Sequence, residues 1–301
     1  MVRDFAGFCR SLDLHGGINL TGGNPLLHPR FLDLFAAIDR LGLSMSILGN
    51  PVARDRLEEL ASIQAPVFYQ LSLEGLAPQN DRVRGAGHFG RVMACLEDLR
   101  SLGIRSHVML TLTSENVAQV LPLASLLRGL TDSFTFTRLV PVGNGTVLKP
   151  PDRETFLSFL REYLDAARFD PMLGTKDNLF NLLRYERGEP LGRGCSGAGC
   201  SLAFDSLVLL PDGEVHACRK FPSPIGNIRT ASFDRLYFSE VAERYRLGPA
   251  ACRSCALFSV CGGCPAANYL DGRVSFDEPD PYCFIGTLDR SLHIDRGSPS
   301  A

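Results

Sequence analysis

Apolar and polar positions follow two alternating rhythms along the first 150 residues. Short apolar runs end in turns and lead into stretches patterned at helical spacing. Ile18-Asn19-Leu20-Thr21 runs into Gly22-Gly23, and Phe31, Leu34, Phe35 and Ile38 mark one face of a helix over 31–41. Further strands are expected over 44–48, 67–73, 107–113 and 134–140, with helices over 55–63, 89–102 and 117–130, the last capped by Asn116. Strands alternating with helices of this length imply βαβ units and a parallel sheet. Right-handed crossovers then curve that sheet toward an open or closed barrel.

From residue 150 the pattern is helical. Asp152 opens a helix carrying Phe156, Leu157, Leu160, Tyr163 and Leu164, and a second helix covers 178–185. The texture then changes to glycine and cysteine over 192–200. A hairpin follows, with 207–210 and 214–218 flanking Pro211-Asp212-Gly213. The chain therefore divides into an α/β domain over 1–150, a helical connector over 151–190 and a small cysteine-rich α+β domain over 191–290. Residues 291–301 read as a disordered tail.

Composition narrows the function. With 45% hydrophobic and 21% charged residues, the 301-residue chain is an ordinary globular protein. A net charge of −2 gives no electrostatic case for nucleic acid or an anionic membrane surface. No apolar run is long enough to span a bilayer, and the start lacks a signal peptide's apolar core, so a cytoplasmic location is expected.

Cysteine usage is the departure. Of ten cysteines, eight lie from Cys195 onward: Cys195-x4-Cys200-x17-Cys218, Cys252-x2-Cys255-x5-Cys261-x2-Cys264, and Cys283. Eight thiolates match the ligand complement of two 4Fe–4S clusters. Gly262 and Gly263 allow the tight turns that aim neighbouring sulfurs apart. Paired C-x2-C elements also build four-cysteine zinc sites, and disulfides are the third reading. Cys9 and Cys95 stand apart in helical stretches and read as core residues.

The hairpin segment Cys200-x12-Gly213-x4-Cys218, followed by Cys252-x2-Cys255-x5-Cys261 and Cys283, resembles the SPASM domain of radical S-adenosylmethionine (SAM) enzymes. The spacing differs in one place, two residues instead of three between Cys261 and Cys264. The resemblance implies interleaved ligands: Cys195, Cys200, Cys218 and Cys264 for one auxiliary 4Fe–4S cluster, and Cys252, Cys255, Cys261 and Cys283 for the other.

The first half carries its own likeness. Gly22-Gly23-Asn24-Pro25 resembles the radical-SAM "GGEP" element that receives the amino group of SAM, with Asn24 in place of the usual acid. Ser72-Leu73-Glu74-Gly75 resembles the "S-x-D-G" element, and Arg84 matches the arginine that meets the cofactor carboxylate. Standing alone, these residues also read as a glycine turn and solvated loop charges. The C-x3-C-x2-C loop that binds the catalytic cluster is not found, since only Cys9 precedes Gly22. The expectation is a partial (β/α)6 barrel lacking its first strand, from a truncated chain that is inactive by itself.

The resemblance implies an enzyme that uses SAM and, in the complete protein, a third 4Fe–4S cluster. Its partners would be a ribosomally made precursor peptide and an electron donor such as flavodoxin or ferredoxin. Arg219 follows Cys218 where sulfatase maturases place an aspartate. The runs Lys176-Asp177-Asn178-Leu179 and His216-Ala217-Cys218-Arg219-Lys220 look more like thio(seleno)oxazole-type peptide maturases. His216, Arg219 and Lys220 are candidate substrate contacts or plain hairpin surface. The alternative is a noncatalytic iron–sulfur protein that binds a peptide or relays electrons.

Overall fold

The structure, a computed structural model, describes residues 2–192, 200–270, 273–274 and 276–287. Cys195 and the expected tail over 291–301 lie outside the described residues. The first half is a parallel sheet of β1 (Gly17–Leu20), β2 (Ser44–Leu48), β3 (Tyr69–Ser72), β4 (Ser106–Leu112) and β5 (Ser133–Arg138), paired in that order. Each crossover moves to the adjacent strand in the same direction, as in the wall of an open barrel. The crossovers carry α1 (Val2–Ser11) before β1, then α2 (Phe31–Asp39), α3 (Arg54–Ile63), α4 (Ala77–Arg84), α5 (His88–Ser101) and α6 (Val120–Leu127).

Period-two alternation separates the two faces of this sheet. Met45, Ile47, Tyr69, Leu71, Val108, Leu110, Phe134 and Phe136 are buried in the core under the helices. The opposite face carries Ser46, Gln70, Ser72, His107, Met109, Thr111 and Thr135, mostly polar, of which Ser46, Gln70, Met109 and Thr135 are buried. Beyond β5, Phe134 N–H donates to Met172 O and Gly174 N–H to Phe134 O, so residues 172–174 extend that edge.

The connector supplies α7 (Arg153–Ala167) and α8 (Phe180–Glu186). Asp152 caps α7 by accepting from Thr155 N–H at 2.9 Å. Phe136, Phe159, Tyr163 and Phe180 pack edge-on or tilted against one another, which fixes both helices to β5. The C-terminal part contains an antiparallel sheet of β6 (Val208–Leu209), β7 (Glu214–His216) and β8 (Pro224–Asn227), then α9 (Phe233–Tyr237) and α10 (Glu240–Arg246). It ends in turns and a short pair, β9 (Tyr269–Leu270) with β10 (Arg273–Val274).

Several expectations need correction. Leu34 is exposed, because the buried stripe of α2 is Phe31, Phe35 and Ile38 alone. Residues 117–130 form a 3-10 turn followed by the short α6, and Asn116 makes no capping bond. Helix α4 and strand β8 were not anticipated, since 77–84 has only weak apolar periodicity and 224–227 is too short to show one. Cys9 and Cys95 are buried as expected; a side chain at Gly16 would sit 2.8 Å from Cys9 Sγ.

Candidate functional site

The elements read as SAM-binding gather at the C-terminal ends of β1, β3 and β4. Gly22 and Gly23 follow β1 at positive φ (98° and 48°), which glycine reaches without a Cβ penalty. Asn24 accepts from Leu26 N–H at 3.2 Å, and Pro25 occupies the first turn of the short 3-10 helix it opens. Asn50 reaches over from the end of β2 to Gly23 O, and Tyr69 Oη donates to Asn50 O at 2.8 Å. The glycine turn is thus tied to the ends of two neighbouring strands.

Ser72 ends β3, and Glu74 is buried two residues later. The Glu74 carboxylate accepts from Thr111 N–H at 3.0 Å and from Arg84 Nε at 3.1 Å, with a second contact from Arg84 Nη2. Arg84, at the end of α4, keeps a third of its side chain exposed. The two residues predicted to meet the cofactor separately therefore meet each other. Asn80 Oδ1 accepts from Glu74 N–H, while Asn116 Nδ2 donates to Glu74 O and Thr111 O. Sequence reasoning missed this use of Asn80, and it assigned Asn116 to a helix cap instead.

Deeper on the polar face, His107 lies between Ser133 Oγ (2.8 Å from Nδ1) and Thr135 Oγ1 (2.9 Å from Nε2). Burial, helped by the charge of Lys176, pushes its pKa down to about 4. It stays neutral at physiological pH.

The cysteines fall into two groups. Cys252, Cys255, Cys261 and Cys283 line one pocket with Leu179, Leu182, Phe258 and Ile285. Gly262 and Gly263 adopt φ of 66° and 69° there, and a Cβ on Gly263 would stand 3.1 Å from Cys252 Sγ. Burial, reinforced by neighbouring thiolates, raises the thiol of Cys252 to about 11 and, with Asp280 and Asp177 nearby, that of Cys261 to about 12. Cys200, Cys218 and Cys264 pack against the separate small core of the β6–β8 sheet, with Cys264 close enough to Cys218 to help burial raise its thiol. Cys264, three residues from Cys261 in sequence, thus sides with Cys218.

Connector and hairpin hold these loops from outside. Asn178 Nδ2 donates to Cys261 O and Asn181 Nδ2 to Val260 O, both at 2.7 Å. Arg153 binds Cys283 O at 2.8 Å. Among the candidate substrate contacts, His216 is buried inside its own hairpin, bonded to Glu214 at 2.7 Å and accepting from Ser223 N–H at 3.0 Å. Exposed Arg219 extends over the sheet to within 3.8 Å of Met109 Sδ. Lys220 Nζ sits 3.5 Å from Arg138 O at the end of β5.

Four soft thiols around one apolar pocket suit an iron–sulfur cluster, whose ligands are cysteine thiolates. Among the described residues, no three His, Cys, Asp or Glu side chains converge on a single-ion site. Residues 8–127 match the radical SAM superfamily, and residues 200–265 match the iron-sulfur cluster-binding domain called SPASM. The mycofactocin maturase MftC of Mycobacterium ulcerans (strain Agy99) is 30% identical, across 94% of this chain and 78% of its own length. The chain belongs to the radical SAM/SPASM maturase family.

Solved structures agree on the fold of this radical SAM/SPASM protein. Native anSMEcpe with bound AdoMet superposes with a TM-score of 0.67 at 15% identity, covering 92% of this chain and 83% of that one. Streptococcus suis SuiB bound to precursor peptide SuiA gives 0.68 at 17% identity, covering 94% and 69%. Family membership implies SAM and 4Fe–4S clusters as cofactors. No helix among the described residues is long and apolar enough to cross a membrane.

Proposed function

We propose that this radical SAM/SPASM protein modifies a ribosomally made precursor peptide and holds two auxiliary 4Fe–4S clusters beside the peptide. The observation that carries the reading is the sorting of cysteines: Cys252, Cys255, Cys261 and Cys283 around one pocket, and Cys264 with Cys218. One cluster takes the first set. The other takes Cys200, Cys218 and Cys264, with Cys195 as its fourth ligand. Residues 1–150, 151–190 and 191–290 then serve as barrel, connector and auxiliary-cluster domain.

Held beside a reduced 4Fe–4S cluster, for which this sequence shows no C-x3-C-x2-C loop, SAM would supply a 5′-deoxyadenosyl radical able to abstract hydrogen from a substrate. This chain's residues receive the cofactor along one wall of the barrel. Gly22, Gly23, Asn24 and Pro25 meet its amino end, while Ser72 and the Glu74–Arg84 pair face its ribose and carboxylate. Because Glu74 already engages one side of Arg84, the guanidinium is oriented before the carboxylate arrives. Arg219 and Lys220 project from the hairpin toward the same wall and contact the peptide. MftC is named as a maturase, and the SuiB structure holds a precursor peptide, which supports a peptide as substrate here. A cytoplasmic electron donor such as flavodoxin or ferredoxin completes the reading.

Anaerobic reconstitution with iron and sulfide tests it. Two filled four-cysteine sites bind about eight irons per chain. Cys252→Ser combined with Cys255→Ser is expected to remove about four of them and leave the second signal intact in Mössbauer spectra. Tightly bound zinc in place of iron would overturn the reading.

A further inference from the structure

Along β5, the core-facing row reads Phe134, Phe136, Arg138, so a guanidinium stands where the pattern calls for a third apolar side chain. Arg138 is 8% exposed. Its Nε donates to Asp177 Oδ2 at 2.7 Å and its Nη1 to Asp280 Oδ1 at 2.8 Å. The rings of Phe156 and Tyr282 each lie 5.8 Å from its Cζ. Both acids are buried too, so one cation faces two carboxylates and a net negative charge remains. Such an arrangement carries a desolvation cost of several kcal/mol per ion that an apolar side chain would avoid.

Its location gives the charge something to act on. Asp280 lines the pocket of Cys252, Cys255, Cys261 and Cys283. The Asp280 backbone N–H faces Cys252, and Cys283 N–H closes back on Asp280 O at 2.8 Å. Asp177 precedes Asn178, which binds Cys261 O. On the opposite side, Arg138 lies within electrostatic reach of Cys264, and its carbonyl meets Lys220, two residues after Cys218. The triad therefore stands at the boundary between the two cysteine groups.

We propose that Arg138, fixed between Asp177 and Asp280, sets the reduction potentials of the auxiliary clusters from the boundary they share. The inference rests on the two-cluster reading above. Adding an electron to a cluster adds negative charge in a low-dielectric interior, which a nearby cation favours and a nearby carboxylate opposes. Arg138 eases reduction on the Cys264 side. Asp280 and Asp177 resist it on the Cys252 side, so the two clusters are held at different potentials.

The test is a potentiometric titration of the reconstituted full chain followed by EPR, with iron counted in every sample. Arg138→Gln is expected to make reduction harder, and Asp280→Asn to make it easier. The reduced-to-oxidised ratio at fixed poise should change about tenfold in opposite directions, which is 59 mV for one electron. Arg138→Lys, which keeps the charge, should restore most of the shift. If Arg138→Gln does not fold, the pair Asp280→Asn and Asp177→Asn carries the test alone, both easing reduction. Full iron with unchanged potentials, or with Arg138→Gln and Asp280→Asn moving them the same way, overturns this proposal and leaves the two-cluster reading standing. Wild-type protein that takes up no iron overturns both.

Discussion

Glu74 shows how much of the site hangs on single side chains. Its carboxylate holds α4 through Arg84 and β4 through Thr111, and its backbone is gripped by Asn80 and Asn116. Glu74→Ala strips acceptors from a buried amide and a partly exposed guanidinium, so a loss on the order of 2 kcal/mol is expected in urea denaturation. Glu74→Gln retains an acceptor for Thr111 N–H and is expected to cost about half as much. His107 offers a pH test. Its pKa is about 4 in the folded chain and near 6.5 when unfolded, so the unfolded state binds its proton first. Stability from this residue is fully present above about pH 6.5 and is lost as pH falls toward 4. His107→Gln should flatten that part of a stability-versus-pH curve measured by denaturation. Ser72, Glu74 and Arg84 were read in sequence as separate cofactor contacts. The Glu74–Arg84 bond was not foreseen, because it depends on α4 turning Arg84 back across ten residues.

At the level of elements, strands and amphipathic helices were the most legible features. The parallel strands and the helices 31–39, 54–63 and 88–101 announce themselves through alternation or a buried stripe. The cysteine loops have no such rhythm, and neighbouring elements give them their form. Asn178, before α8, and Asn181, on it, donate to two successive carbonyls of the loop carrying Cys261. Polar side chains buried at a helix–loop junction leave no periodic trace, although Lys176-Asp177-Asn178-Leu179 marked the place. Asn178→Ala with Asn181→Ala strips the donors from one buried and one part-buried carbonyl, at about 1–3 kcal/mol for the buried one and less for the other. The double variant is expected to lose iron from the Cys252 set first, while the Cys218 set stays filled. Metal analysis with Mössbauer spectra distinguishes that outcome from general unfolding.

Over the whole molecule, the sheet is protected unevenly. Residues 172–174 and helices α7 and α8 cover the β5 side, whereas β1 alternates between exposed and half-buried positions at the other edge. What joins the two ends of the chain is aromatic. Phe5 and Phe8 of α1 pack on Phe233, Tyr237 and neighbouring Phe238, with ring centroids 4.9–6.1 Å apart. Phe8→Ala removes a ring from this contact and is expected to destabilise the chain by roughly 2–3 kcal/mol in thermal or urea unfolding, below the full core value because Phe8 is half-buried. This contact was invisible in sequence, since its partners lie more than two hundred residues apart and the five-residue α9 is too short to show a stripe.

That separation has a cost in time. During synthesis α1 emerges some 225 residues ahead of α9, which at ordinary translation rates is a wait on the order of ten to fifty seconds. Through that interval the rings of Phe5 and Phe8 lack Phe233, Tyr237 and Phe238. A nascent chain of this kind should depend on a chaperone that shields α1, and ribosome-bound intermediates ending before Phe233 should be the most easily cut by protease near α1.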